Sequence, residues 1–217
     1  MRGTSVRKDL SGLDRLGQID ELRARMQAVT GVVPEKQSAP EEDDALDVGL
    51  PLRIPRRAVT EISDCPALVV DLLAKVTAAG GHVGVVSWPQ LSLAAIEHLD
   101  KVIAVPDPGP DPLGITSVLV EGLDLVVHHS AVELNLSPVR ARPLTGRLRG
   151  GEAALLLVGL HAPSPALRID ARVSTYRGIG RGTGRISGMD IDVSMTAKAE
   201  KVRTTVVVGQ RPHLRAV

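Results

Sequence analysis

A chain of 217 residues can bury one good core with some chain left over. Its 43% hydrophobic content is ordinary, but with only Trp88 and Tyr176 as aromatics that core must be built from Val, Leu, Ile and Ala, which suits a buried parallel sheet covered by helices. A lone cysteine, Cys65, excludes an internal disulfide and a cysteine-rich zinc site and points to the cytoplasm; the opening "MRGTSVRKDLSGLDRLGQ" has no apolar signal core, and no apolar run approaches the roughly 20 residues that cross a bilayer, so neither secretion nor membrane contact is expected. The formal net charge is only +1 but it is uneven: six acids against Lys36 over residues 35–47 give −5, and eight bases against three acids over 177–217 give +5.

In chain order, "SGLDRLGQIDELRARMQAV" (11–29) reads as an amphipathic helix with Ser11 as N-cap and Leu13, Leu16, Ile19, Leu22, Met26 and Val29 near one stripe. The next stretch, to Pro55, holds four prolines and the acidic cluster, as expected of a linker. From 57 onward "RAVTEI", "HVGVVS", "KVIAVP", "LDLVVHH" and "AALLLVGL" look like buried strands, with helical connections expected near 67–79, 90–98, 111–122 and 138–150. Pro138 and Pro143 allow the last of these only a short or broken helix. Such alternation predicts a mostly parallel α/β sheet flanked by helices. After 160 the period becomes two: "ALRIDARVSTY" and "RISGMDIDVSM" flank a glycine-rich turn and predict an antiparallel extension, with "KVRTTVVV" as a possible third strand. The expected organisation is an N-terminal helix (1–30), an acidic proline-rich linker (31–55), an α/β core (56–197) and a basic C-terminal strand or tail (198–217).

The first strand–turn–helix, "EISDCPALVVDLL" (61–73), stands where nucleotide-binding domains place a phosphate loop, yet it has no glycine or lysine. Ser63 and Asp64 could cap the helix but cannot cradle phosphate. The carboxyl ends of the strands should bring Ser87, Trp88, Asp107, Asp111, His128, His129 and His161 to one rim, where open α/β sheets bind ligands. A hydrolase could be imagined from Ser87, His129 and Asp107, but "VVSWPQ" is no nucleophile elbow. A metal site on His128 and His129 is disfavoured because adjacent strand residues face opposite ways. Two basic segments read either as solvated loops or as contacts for phosphate: "SPVRARPLTGRLRGG", with Arg140, Arg142, Arg147 and Arg149, and "YRGIGRGTGRISG", with Arg177, Arg181 and Arg185. The glycines of the second alternate and lie between strands, unlike a dinucleotide loop. The stripe of Leu13, Leu16, Leu22 and Met26 could dock on another subunit. Lys201, Arg203, Arg211 and Arg215 beside "TTVVV" either belong to a final strand sealing the sheet or form an adhesive surface for a partner.

Five parallel strands followed by antiparallel ones, after an outlying helix and linker, resemble the RecA core. The phrases "VTAAGGHVGVVS", "VIAVPDPGPDP", "LVEGLDLVV" and "GRGTGRISGMDIDV" bring the chain closer to ImuA′, the actinobacterial RecA-like accessory proteins of damage-induced mutagenesis. The likeness spans about residues 55–195. It implies a RecA-like fold with a degenerate nucleotide site: "SDCPALVVD" replaces the glycine-rich loop ending in Lys-Thr, and His129 stands where a magnesium-associated Asp would be expected. The implied role is non-catalytic and free of cofactors: an adaptor in error-prone translesion synthesis that joins ImuB, an inactive Y-family polymerase relative. A RecA-like neighbour or self-association, and weak non-specific DNA, are further implied partners. The alternatives are a DNA-binding module or modulator of RecA filaments and, third, a small hydrolase.

Overall fold

The computed structural model of the chain describes residues 44–180, 183–198 and 200–209. The expected N-terminal helix with Leu13, Leu16, Leu22 and Met26, and likewise Arg181, Arg211 and Arg215, lie outside the described residues.

Ten strands are described. β1 (Ala45–Leu46) and β2 (Ile54–Pro55) form a small antiparallel pair of their own. The main sheet is eight-stranded, in the order β10-β9-β8-β3-β7-β6-β4-β5. Its parallel part consists of β3 (Val59–Ile62), β4 (Val83–Val86), β5 (Val102–Val105), β6 (Leu125–Asn135), β7 (Ala154–His161) and the start of β8 (Leu167–Gly180). β9 (Thr183–Ala197) and β10 (Glu200–Val208) then turn antiparallel. The α/β class, the mostly parallel sheet and the antiparallel extension are therefore as the hydrophobic pattern predicts.

The central strands are buried on both faces, which is why they read as continuous apolar runs. One face carries helix α1 (Pro66–Ala78), whose Leu68, Val69, Leu72, Leu73 and Val76 pack with Val83, Val85, Val127 and Leu156. The other carries α2 (Pro112–Leu119) and α3 (Pro138–Gly150); Ala141, Leu144 and Leu148 of α3 pack on Val126, Leu155 and Leu157. α3 is an intact helix of 13 residues despite Pro143. The hydrogen bond that Pro143 removes would run to the carbonyl of Val139, a residue 81% exposed, where water can replace it.

Three expectations are corrected. The connection at 90–98 is not a helix: it runs through single turns, Leu91 N–H to Trp88 O and Ile96 N–H to Leu93 O, before a 3-10 turn at Leu99–Lys101. Pro89 opens it, and only Leu91 and Ile96 are buried, with Leu93 half-buried against the core, a spacing that makes no helical stripe. The presumed linker also ends early, because Leu46, Val48, Leu50 and Ile54 are buried in the α1-side core. The boundary drawn at 197 falls inside one hairpin, since β10 pairs with β9 from Glu200 to Val208 and completes the sheet.

In the β6–β7 pair the register shifts between His129 and Leu134. Gly159 lies opposite this shift at φ +72, and a Cβ there would overlap the Ser130 carbonyl oxygen, so the position demands glycine.

Candidate functional site

β4 hands the chain to β5 on one side, whereas β6 hands it to β7 on the other, so a crevice opens at the carboxyl ends of β4 and β6. The side chains there come from three strand ends. Ser87 follows β4 in the left-handed region, at φ +62, and this turn folds Trp88 over His129 of β6. The two rings stack with centroids 4.3 Å apart and planes 9° from parallel. His129 Nδ1 donates to the Ser87 carbonyl at 3.2 Å, because a carbonyl can only accept. Its Nε2 lies 4.0 Å from Asp64 of the turn after β3.

His128 points the other way. Its Nδ1 is 2.6 Å from Thr116 Oγ1, whose hydroxyl donates to Pro112 O at 2.9 Å, which leaves the ring as the donor. Burial first, and the neighbouring His129 second, lower its pKa to about 4, so this buried ring is neutral. The opposite orientation of the two histidines is that expected of neighbours on a strand.

The turn after β3 is built without a cradle. Cys65 is the N-cap of α1 but makes no side-chain cap, and Pro66 at the start of the helix has no N–H to offer. Ser63 does not cap either: its hydroxyl donates to Ala171 O at 3.1 Å and accepts from Ala171 N–H at 2.7 Å, tying the turn to β8. No residue from 63 to 70 has positive φ, and the base of α1, Lys75, sits in the last turn 2.8 Å from Asp71. Asp64, 64% exposed at the helix start, adds a negative charge where a phosphate would have to approach. Cys65 is buried, which pushes its thiol pKa up, and Asp64 pushes the same way against the Leu68 N–H, so it is no nucleophile.

The other rim residues are committed locally. Asp107 accepts from Gly109 N–H and Asp111 from Gly114 N–H, the second as the N-cap of α2. Ser87, His129 and Asp107 do not form a triad, since the His129 bond runs to the Ser87 carbonyl. His161 belongs to a cluster the sequence reading missed. Glu61 of β3, 7% exposed, accepts from Ala162 N–H at 2.7 Å and lies 3.1 Å from Arg168 Nε and 3.5 Å from His161 Nδ1. The signal was a carboxylate inside the buried run "VTEI", a charge that must be paired when buried.

The basic residues divide. On α3, Arg140 and Arg147 flank the buried stripe on one side, with Arg142 and Arg149 on the other, and all four are exposed. Arg147 lies 3.5 Å from Glu121; the other three make no ion pair among the described residues. Arg177 is taken up by Asp190, at 2.7 Å without hydrogen-bond alignment, while Arg185 is exposed near the hairpin tip. Lys201 and Arg203 are exposed on β10 and face solvent with Arg172 of β8. Among the described residues no hydrogen bond or ion pair joins α3 to the hairpin. Among the described residues no helix is long and apolar enough to cross a membrane.

The MT3502 N-terminal domain family matches residues 48–164, from the buried Val48 to just beyond β7, leaving β8–β10 outside the match. The uncharacterized protein Rv3395c of Mycobacterium tuberculosis is 32% identical over 189 residues, which cover 82% of this chain and 90% of that protein. By both the extent of the match and the identity of this relative, the chain belongs to the MT3502 N-terminal domain family.

Proposed function

We propose that the protein is a non-catalytic, RecA-like adaptor of the ImuA′ type, which joins an ImuB-like inactive Y-family polymerase relative in damage-induced translesion synthesis. The observation that carries this reading is the turn after β3, where Pro66, the exposed Asp64 and the absence of any left-handed residue from 63 to 70 leave no phosphate cradle. The sequence of parallel strands followed by antiparallel ones supports the RecA-like assignment. A domain without a working nucleotide site offers surfaces, and a surface protein acts by what it holds together.

Affinity capture of the tagged full chain from DNA-damaged cells tests the role. Recovery of a polymerase-related protein is the expected result, and its absence counts against the adaptor. Calorimetric titration with Mg-ATP tests the site: no heat of binding is expected, whereas micromolar binding abolished by Ser63→Ala or Asp64→Ala would show a working loop. A second reading, a DNA-binding module, is favoured by one observation, the exposed Arg140, Arg142 and Arg149 on α3, which make no ion pair among the described residues. It requires a salt-sensitive shift of single-stranded DNA that Arg140→Glu with Arg142→Glu removes.

A further inference from the structure

We propose that two copies of this chain join through the outer edge of β5, in an antiparallel pair centred on Ala104. Among the described residues β5 is the last strand of the main sheet and pairs only with β4. The Val105 carbonyl accepts from Ser87 N–H at 3.0 Å, so Ile103 and Val105 turn their backbone groups toward β4, and Ala104 turns its N–H and C=O outward. Ile103, beside Gly84 of β4, is 46% exposed, and Ala104 is exposed too. On the same face Leu119 of α2 covers Gly84, and Ile115, one turn earlier on that flank of the helix, also reaches solvent. An open strand edge with apolar side chains beside it is a template for a further strand.

Two observations select a second copy as the occupant. First, the charges are self-complementary. With Ala104 opposite Ala104, Lys101 of each copy stands opposite Asp107 of the other; no other antiparallel register of the outward-facing Val102, Ala104 and Pro106 sets opposite charges against each other. Neither residue makes an ion pair among the described residues: the Lys101 ammonium rests near Gly80, and Asp107 uses one oxygen to accept from Gly109 N–H. Second, the edge offers one complete position. Val102 N–H already donates to Leu99 O and Pro106 has no N–H, which leaves Ala104 with both groups open. Two Ala104 residues facing each other across a two-fold axis satisfy each other, whereas a longer foreign strand would leave its own groups unpaired on either side. The two-fold closes at this edge, so the assembly stops at two.

This inference does not depend on the adaptor reading, and partner capture does not bear on it. Sedimentation velocity of the purified full chain over a concentration series tests it. A mass rising toward that of two chains at high micromolar concentration is expected. Ala104→Pro removes an outward N–H that the chain's own sheet does not use, so it should give a folded monomer with the circular dichroism and denaturation midpoint of the parent. Lys101→Asp and Asp107→Lys, which lie outside the strand and decide the matter should the proline disturb it, each set like charges together at both ends and should weaken the pair roughly tenfold. Mixed in equal amounts, these two variants face each other with opposite charges and should dimerise again. A chain that stays monomeric at high concentration would overturn the proposal. So would a dimer that either charge variant leaves unchanged, or a mixture of the two that stays monomeric.

Discussion

The parallel and antiparallel parts of the sheet are held together by different means. β3, β4, β6 and β7 lie between helices on both faces, and Leu125, Leu155, Leu156 and Val158 have no exposed surface. β8–β10 bury one face only: Ile169, Ile191, Val193 and Met195 join the α1-side core, while Arg168, Arg172, Asp192 and Arg203 remain in water. The first region is specified by volume and tolerates little; the second is specified by alternation and leaves half its residues free to serve another purpose. The family match stops between the two.

The sharpest way to break this contrast is Gly159→Val. With φ at +72 and the Ser130 carbonyl in the way, it should cost at least about 4 kcal/mol by chemical denaturation and disrupt the β6–β7 pairing. Paired truncations test the contrast directly. Leu156→Ala in the parallel part should cost about 3–4 kcal/mol, whereas Val206→Ala on the half-covered β10 should cost no more than about 1 kcal/mol. Equal losses would mean that the extension is as tightly packed as the centre.

A third test uses pH. The folded pKa of His128 is about 4, below the ordinary value of 6.5, so between these limits the unfolded chain binds the additional proton. Stability from this residue is complete above about pH 6.5 and is lost as pH falls toward 4, by up to about 3 kcal/mol. His128→Asn, which keeps a donor near Nδ1, should flatten that part of a denaturation series run from pH 7 to pH 4. The smallest effect is expected on the open face, where Arg172→Ser and Arg203→Ser should each shift stability by within about 0.5 kcal/mol while remaining able to alter partner binding.

Much of the fold could be read from the chain because central parallel strands must be apolar throughout, as "VGVV" and "ALLLVGLH" are. The hairpin could be read because β8 and β9 alternate against one open face. The segment before β3 misled because prolines and acids dominate it, although the alternation of Leu46, Val48 and Leu50 in "ALDVGLPLRI" was a usable signal of burial. The loop at 90–98 misled in the opposite sense: alanines and leucines gave it helical composition without a stripe. At the rim, the lack of glycine and lysine in the turn after β3 was legible in residue types alone. The Trp88–His129 stack and the Glu61 cluster were not, because each depends on strands distant in sequence becoming neighbours.

The Trp88–His129 stack also makes the protein optically self-reporting. Trp88 is its only tryptophan, so its fluorescence arises at a single place, the mouth of the β4–β6 crevice. A ligand or partner that parted the two rings there would change the emission of the unmodified chain, whereas one that bound α3 or the outer face of β10 would leave it unchanged. Intrinsic fluorescence can therefore separate binding at this crevice from binding elsewhere, without a label.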